Sequence, residues 1–367
     1  MSTTPPTPSD GSRRRLLLAG SGVLVLAIAA VGTTVAIVSS GHKPPPTTTT
    51  TSAPPSTTTT TSTTTTAAAA CPLTGQAPAG GSVPQRPAIA VKVDNYPTAR
   101  PQAGLDHTDI VFEEPVEGGI TRLVAVFQCQ SASRIEPVRS SRLIDPFILD
   151  QLSHPIFGYA GGINPSLAAI AAANVFNADF SMYPSAYQRN PARSAPHNLY
   201  TSTSALYGLD PSDTTPPAPI FSYSASPPAS SAPTATTVHI PFSNYSDVYW
   251  TYSASTHSYL RSYSGGPTAL TSAGRPISAS NVVVIKAIET ITPYVEDATG
   301  SHEVMLTLIG SGTAYVFRNG KAIPATWTRP SKNVPATLQA AGHTVALAPG
   351  RTWVELVPST IPVTYGP

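Results

Sequence analysis

The sequence predicts an α/β (α+β) N-terminal domain built on a mixed sheet, followed by a small, mainly antiparallel β domain, with an N-terminal transmembrane helix and a disordered linker ahead of both. Three observations carry this. From Arg86 to about residue 210, short β-branched runs alternate with helical spacing, the pattern of a layered α/β arrangement. Beyond a Pro- and Ser-dense interval, aromatic and β-branched runs follow one another with Gly- and Asn-containing turns between them, the pattern of an antiparallel sheet. Ahead of both, Leu16 to Val38 carries no charge.

That apolar run is long enough, at about 1.5 Å rise per residue, to cross a ~30 Å hydrocarbon core. Arg13-Arg14-Arg15 precede it, so residues 1–15 are read as a cytoplasmic tail, 16–38 as the anchor, and everything after as extracytoplasmic. A cleaved secretory signal has a shorter apolar core, usually ~7–15 residues. Ala27-Ile28-Ala29 offers a small-residue cleavage site, but inside the run, and Ser12-Arg13-Arg14-Arg15-Leu16 is similar to a twin-arginine export signal. Export of the remainder is common to all three readings. Residues 39–70 are, apart from Gly41-His42-Lys43, Thr, Pro, Ser and Ala and give a core nothing to bury, so they are read as a tether.

In the first folded region, 71–210, Ala88 to Val93 reads as a buried strand closed by Asp94-Asn95. Ile110–Phe112 and Ile120–Phe127 add two strands. Ser141–Leu152 has helical spacing with Pro146 in its first turn. Ile156–Ala160 is a further strand before Gly161-Gly162. Asn164-Pro165-Ser166 opens a helix running to Val175, with Pro at the first helical position. Residues 211–241 read as a linker or long surface excursion. In 242–367, Val248–Tyr252 and Ser258–Tyr263 look like paired strands, followed by Asn281–Ile291, Val304–Ile309, Ala314–Phe317 and Thr352–Val357. Gly310-Ser311-Gly312, Asn319-Gly320 and Pro349-Gly350 read as the turns between several of them.

The two cysteines, Cys71 and Cys129, both lie beyond the apolar run, where disulfides persist. A bridge would pin the start of the folded region to a core strand; two free buried thiols are the other reading. Net charge is +2, too balanced for a nucleic-acid surface, which shows a basic patch or stripe. No zinc spacing, nucleophile elbow or phosphate-cradling glycine loop is present, so no metal or cofactor is assigned.

Charged residues are only 11% of the chain, yet Glu113-Glu114-Pro115-Val116-Glu117-Gly118-Gly119-Ile120-Thr121-Arg122 gathers three carboxylates, a Gly-Gly pair and an arginine between two apolar runs. Gly-Gly lets backbone approach a ligand, and loops at strand ends carry sites. Arg100, Arg122, Arg139, Arg142 and Arg193 stand near Gly, Pro or Ser. Their planar forks suit carboxylate and phosphate, or they pair internally with Asp94, Asp109, Glu113, Glu114 and Glu117.

Several long motifs resemble the YerB family of bacterial envelope proteins, which carries an N- and a C-terminal domain of unknown function. They are Arg86–Asn95, Ala99–Leu105, Glu117–Arg122, Pro137–Arg142 and Ala195–Ser202, with Gly310–Gly312, Asn319–Lys321, Thr326-Trp327 and Pro349–Trp353 in the C-terminal part. The resemblance runs from about Leu73 to Pro358 and implies a lipoprotein or membrane-anchored protein outside the cytoplasmic membrane, with no activity to carry over. This chain lacks a cysteine at the membrane boundary, which favours the protein anchor, and has Tyr159 where many relatives are expected to have histidine.

The expected role is binding an anionic wall- or lipid-linked component of the bacterial envelope. Asp94, Asn95, Arg100, Glu113, Glu117, Gly118, Gly119, Arg122, Arg139, Ser140, Arg142, Gly161, Gly162, Arg193, His197 and Asn198 are the candidate ligand-binding residues. In that reading the arginines clamp the anion. In an alternative, Glu117, Asp94 and His197 act as acid–base groups of an envelope glycan hydrolase or transferase. A third reading is a scaffold for another envelope protein.

Overall fold

The structure, a computed structural model, describes residues 69–367. The predicted tail, the anchor and the linker up to residue 68 lie outside the described residues. Among the described residues no helix is long and apolar enough to cross a membrane.

The first half contributes β1 (Ile89–Asp94), β2 (Ile110–Pro115), β3 (Thr121–Phe127), α1 (Asp145–Leu149), β4 (Ile156–Tyr159), α2 (Asn164–Ala171) and β5 (Phe176–Asp179). Two short strands, β6 (Gln188–Arg189) and β7 (Leu199–Tyr200), and α3 (Thr203–Tyr207) complete it. The second half is all strand: β8 (Thr237–Ser243), β9 (Ser246–Ser253), β10 (Ser258–Tyr263), β11 (Ser278–Ala279), β12 (Asn281–Ala287), β13 (Glu289–Val295) and β14 (His302–Leu306). It continues with β15 (Gly310–Arg318), β16 (Lys321–Arg329), β17 (Thr337–Ala340), β18 (His343–Thr344), β19 (Thr352–Pro358) and β20 (Thr364–Gly366).

One mixed sheet of eleven strands runs through both halves, in the order β18-β17-β16-β15-β12-β19-β2-β3-β1-β4-β5. β19 joins them: it pairs in parallel with β12 on one side and with β2 on the other. A second, antiparallel sheet, β11-β10-β9-β8-β20, comes from the second half alone. The mixed α/β first part and the antiparallel β second part are therefore both present, and the described residues form one compact unit.

The central strands of the main sheet, β1, β2, β3, β12 and β19, are buried on both faces, which is why they read as near-continuous apolar runs. Side chains alternate between faces with a period of two. Ile89, Val91 and Val93 face the second sheet, with Val238, Trp250 and Tyr259. Ala88 and Ala90 face the helices, with Ile144, Ile148, Leu152 and Ile170. Each fully buried Val, Ile or Leu contributes roughly 1.5–3 kcal/mol, comparable with the ~1–2 kcal/mol lost in fixing one residue's backbone, so the two packed layers are needed together.

Several local readings change. Ser141–Leu152 is helical only over Asp145–Leu149, with Pro at the start, before one 3-10 turn at Asp150–Leu152. The second helix stops at Ala171, not Val175. Asn281–Ile291 is not one strand: the ladder with β19 ends at Ala287, and the chain leaves the sheet as β13, paired only with β14. Gly310-Ser311-Gly312 is not a turn but the start of β15, paired with Trp327–Arg329. Asn319-Gly320 does form the β15–β16 hairpin turn, with φ of 53° and 69°, the left-handed pair such a two-residue loop requires. Residues from the Pro-rich interval pack on the second half, with Ile220 buried and Tyr223 bridged to Leu347. Cys71 and Cys129 form a disulfide.

Candidate functional site

The site grows from the ends of β1 and β3. These strands are antiparallel, and their register sets Asp94 opposite Arg122. On the other side of β3, Arg122 faces Glu114 of β2. Period-two alternation therefore aims Lys92, Asp94, Arg122 and Glu114 at the helix side of the sheet. Deeper in, Lys92 is buried between Glu114 and Asp145. Burial pushes the Glu114 carboxyl up to about 7, against the opposing pull of Lys92.

Between β2 and β3 the chain makes a single 3-10 turn, Glu117–Gly119. Gly118 and Gly119 have φ of 68° and 71°, a left-handed pair that residues with a Cβ rarely adopt. A Cβ on Gly118 would meet nothing, so conformation, not close approach, is what uses glycine here. The turn swings Glu117 under two arginines. Its carboxylate accepts from Arg122 Nη2 at 3.1 Å and from Arg142 Nε at 2.8 Å, and also contacts Arg142 Nη2. Burial works to raise its pKa, but the two guanidinium groups outweigh that and hold it low.

Arg139, Ser140 and Arg142 lie on the segment just before α1. Arg142 is 1% exposed and spends its donors inside the protein: on Glu117, on Ser140 Oγ at 3.1 Å, on the Ser141 carbonyl at 2.7 Å, and on Glu296. Glu296 arrives from the connection between β13 and β14, a hairpin also fastened by Glu303, which accepts from the Leu143 amide at 2.6 Å. Burial lifts Glu296 to about 7, with Glu117 and Glu303 adding to the rise and Arg142 resisting it.

Asp94 is the other hub. Its Oδ2 meets His197 Nδ1 at 2.8 Å and Arg139 Nε at 3.1 Å, and its Oδ1 accepts from the Tyr96 amide at 3.0 Å. Burial alone would raise its pKa, but the His197 hydrogen bond and the charges of Arg122 and Arg139 carry it down to about 2. His197 Nε2 lies 3.1 Å from Thr98 Oγ1. Together Asp94, Tyr96, Glu117, Arg122, Arg139, Ser140, Arg142, His197 and Glu296 surround a cleft of about 400 Å³.

Of the residues expected from the sequence, Asp94, Glu117, Arg122, Arg139, Ser140, Arg142 and His197 thus converge. The others do not line this cleft. Glu113 lies on the opposite face of β2, buried with Arg261 and 3.1 Å from Asn95 Nδ2. Asn95 and Arg100 belong to that second cluster, where Arg100 stacks on the Tyr263 ring at 3.5 Å. Gly161 borders a neighbouring groove that shares Arg139. Gly162 packs against Ser141, where a Cβ would come within 2.7 Å of Oγ. Arg193 donates to the Ala99 and Pro101 carbonyls, and Asn198 accepts from Arg189. Tyr159 is a core residue stacked on Phe157.

Tyr96 and Glu296 were not expected. Tyr96 follows the strand-end Asp94-Asn95 pair, a signal that was available. Glu296 sits in Glu296-Asp297-Ala298-Thr299-Gly300, which reads only as a turn.

Two atoms of the cleft wall are buried without a hydrogen-bond partner among the described residues, Arg122 Nε and Glu296 Oε2. Arg139 is more open, at 31% exposure, and its ion pair with Asp94 uses Nε alone.

Comparison with known proteins places this architecture. Residues 73–214 match the family described as "Protein of unknown function (DUF3048) N-terminal domain", and residues 238–354 match its C-terminal domain. The chain is 30% identical over 297 residues to "Putative lipoprotein YerB" of Bacillus subtilis, covering 78% of this chain and 86% of that protein. It is also similar to the crystal structure of YerB protein from Bacillus subtilis, with a TM-score of 0.69 and 25% identity over 81% of this chain and 99% of that one.

Proposed function

We propose, from the premise that this chain belongs to the DUF3048 family, that it is an envelope protein held outside the cytoplasmic membrane whose cleft binds an anionic wall- or lipid-linked component. The disulfide supports an oxidising compartment, and the name of the Bacillus subtilis relative supports attachment to the membrane. Both cysteines of this chain are spent in the Cys71–Cys129 bridge, which leaves no thiol for a lipid. The uncharged run Leu16–Val38, a single-pass anchor, is the better candidate for the attachment.

The observation that carries the binding reading is the state of Arg139. Arg122 and Arg142 are closed in by Glu117 and by main-chain carbonyls. Arg139 turns Nε to Asp94 and makes no hydrogen bond through its other two nitrogens among the described residues. A half-open guanidinium fork, backed by a neutralised wall, suits a carboxylate or phosphate. Ser140 adds a hydroxyl beside it.

A glycan hydrolase or transferase using Glu117, Asp94 and His197 has less support. Asp94, held at about 2, and Glu117, also held low, are poor proton acceptors near neutral pH, where a general base works best with a pKa close to the operating pH.

The test is retention on isolated cell wall and on lipid-linked precursors. Arg139→Ala is expected to reduce retention at least tenfold while stability changes by less than ~1 kcal/mol, because the pair it breaks is partly exposed. Unchanged retention defeats the binding reading. Product released by the wild type and abolished in Glu117→Gln, with retention intact, would establish the enzyme instead.

A further inference from the structure

We infer that the anion taken by this cleft belongs to a saccharide, so that the ligand class is an acidic glycan and not a free anion; this rests on the anionic-ligand reading of Arg139. A cleft for a small inorganic ion needs donors only. This one also offers groups that match a polyhydroxylated ring.

The first is a pair of parallel ring faces in the wall, Tyr96 and His197. Tyr96 lies parallel to the His197 ring, with centroids 6.2 Å apart and planes 6° from parallel. Tyr245, outside the cleft lining, packs against Tyr96 at 5.5 Å and is 44% exposed. Flat apolar faces with polar rims are suited to surfaces that are apolar on one side and wet on the other, and the C–H face of a sugar ring is such a surface. Tyr96 and Arg139 both line this cleft, so a ring on Tyr96 shares it with the open guanidinium.

The second is the pair of orphaned atoms. Arg122 Nε is a buried donor without an acceptor, and Glu296 Oε2 a buried carboxyl oxygen without a partner. Buried polar atoms are almost always satisfied, and leaving them unmet costs more than a made bond gains. A hydroxyl both donates and accepts, so hydroxyls suit a wall that holds both a spare donor and a spare acceptor, while an anion suits Arg122 alone and is repelled by an ionised Glu296.

The third is volume. A cleft of about 400 Å³ falls in the range of small-molecule sites and far exceeds the space of one carboxylate or phosphate.

Calorimetric titration of the protein tests this with four probes: trigalacturonate, glucose 6-phosphate, maltotriose and inorganic phosphate. At least one acidic sugar is expected to bind ten-fold or more tighter than both inorganic phosphate and maltotriose. Which of the two acidic sugars binds better identifies the anion as carboxylate or phosphate. Tyr96→Ala is expected to remove most of that advantage, Glu296→Gln to remove it while tightening phosphate binding, and Arg139→Ala to weaken all anionic probes. Inorganic phosphate binding as tightly as the better of the two acidic sugars overturns the saccharide inference and leaves the anion reading standing. Maltotriose binding as tightly as the acidic sugars, or no binding by any probe, overturns both.

Discussion

Asp94 and Arg122 stand directly opposite one another across the β1–β3 pair, yet Asp94 gives its short contacts to His197 and Arg139 instead, and Arg122 turns to Glu117. The register therefore sets two charged hubs side by side, each completed by residues far along the chain. His197 is 103 residues from Asp94.

The Asp94 hub predicts an acid limb in the stability profile. A carboxylate held low stabilises the folded chain above its unfolded value, near 3.8, and loses that contribution as pH falls through about 2. The difference is worth roughly 2 kcal/mol. Asp94→Asn is expected to lose that amount in urea denaturation at pH 7, and the gap between wild type and variant to narrow steadily below pH 4. A constant gap from pH 7 to pH 3 would contradict the assignment.

The Glu117 hub predicts a larger loss. Removing the carboxylate in Glu117→Ala takes from Arg122 its ion pair and from Arg142 one of two, both side chains being nearly fully buried, and breaking one side of a buried pair costs about 3–5 kcal/mol. The double variant Glu117→Ala/Arg142→Met is expected to recover part of it, so a thermodynamic cycle on denaturation midpoints returns a positive coupling.

Glu296 predicts the opposite pH slope. Its folded pKa is raised from 4.5 to about 7, so its contribution is fully present below 4.5 and is lost as pH rises through 7. Wild type is expected to lose stability between pH 5 and pH 8 relative to Glu296→Gln, whose midpoint stays flatter across that window. Parallel profiles for the two proteins would rule this out.

The Cys71–Cys129 bridge spans 58 residues. Loop-closure entropy for such a span corresponds to about 4 kcal/mol. Cys71→Ser/Cys129→Ser is expected to unfold at correspondingly lower denaturant, and the wild type with reductant to approach it.

What the sequence makes legible follows from which forces leave a local trace. Ala88–Val93 and Leu123–Phe127 read as strands because both faces of the main sheet are covered, and the apolar run is unbroken. Asn281–Ile291 misleads for the same reason. Ile288 and Ile291 continue the apolar run, yet they are 65% and 71% exposed on a hairpin outside the sheet, and composition carries no record of where pairing stops. Asp94, Glu117, Arg122 and Arg139 could be singled out because charge is scarce in this chain. Glu113 stands beside them along the chain, whereas strand alternation sends it to the opposite face from Glu114. Glu296 reaches the cleft through a hairpin docked by Glu303 on Leu143 and Ser166, a long-range placement with no local signature.

β19 reaches its place between β2 and β12 from far down the chain: Trp353 lies beside Glu113 at a separation of 240 residues. A nascent polypeptide thus exposes one bare edge of β2 through most of its synthesis, a ready template for pairing with other chains. Fragments stopped short of Thr352 are therefore expected to aggregate instead of persisting as a folded first half.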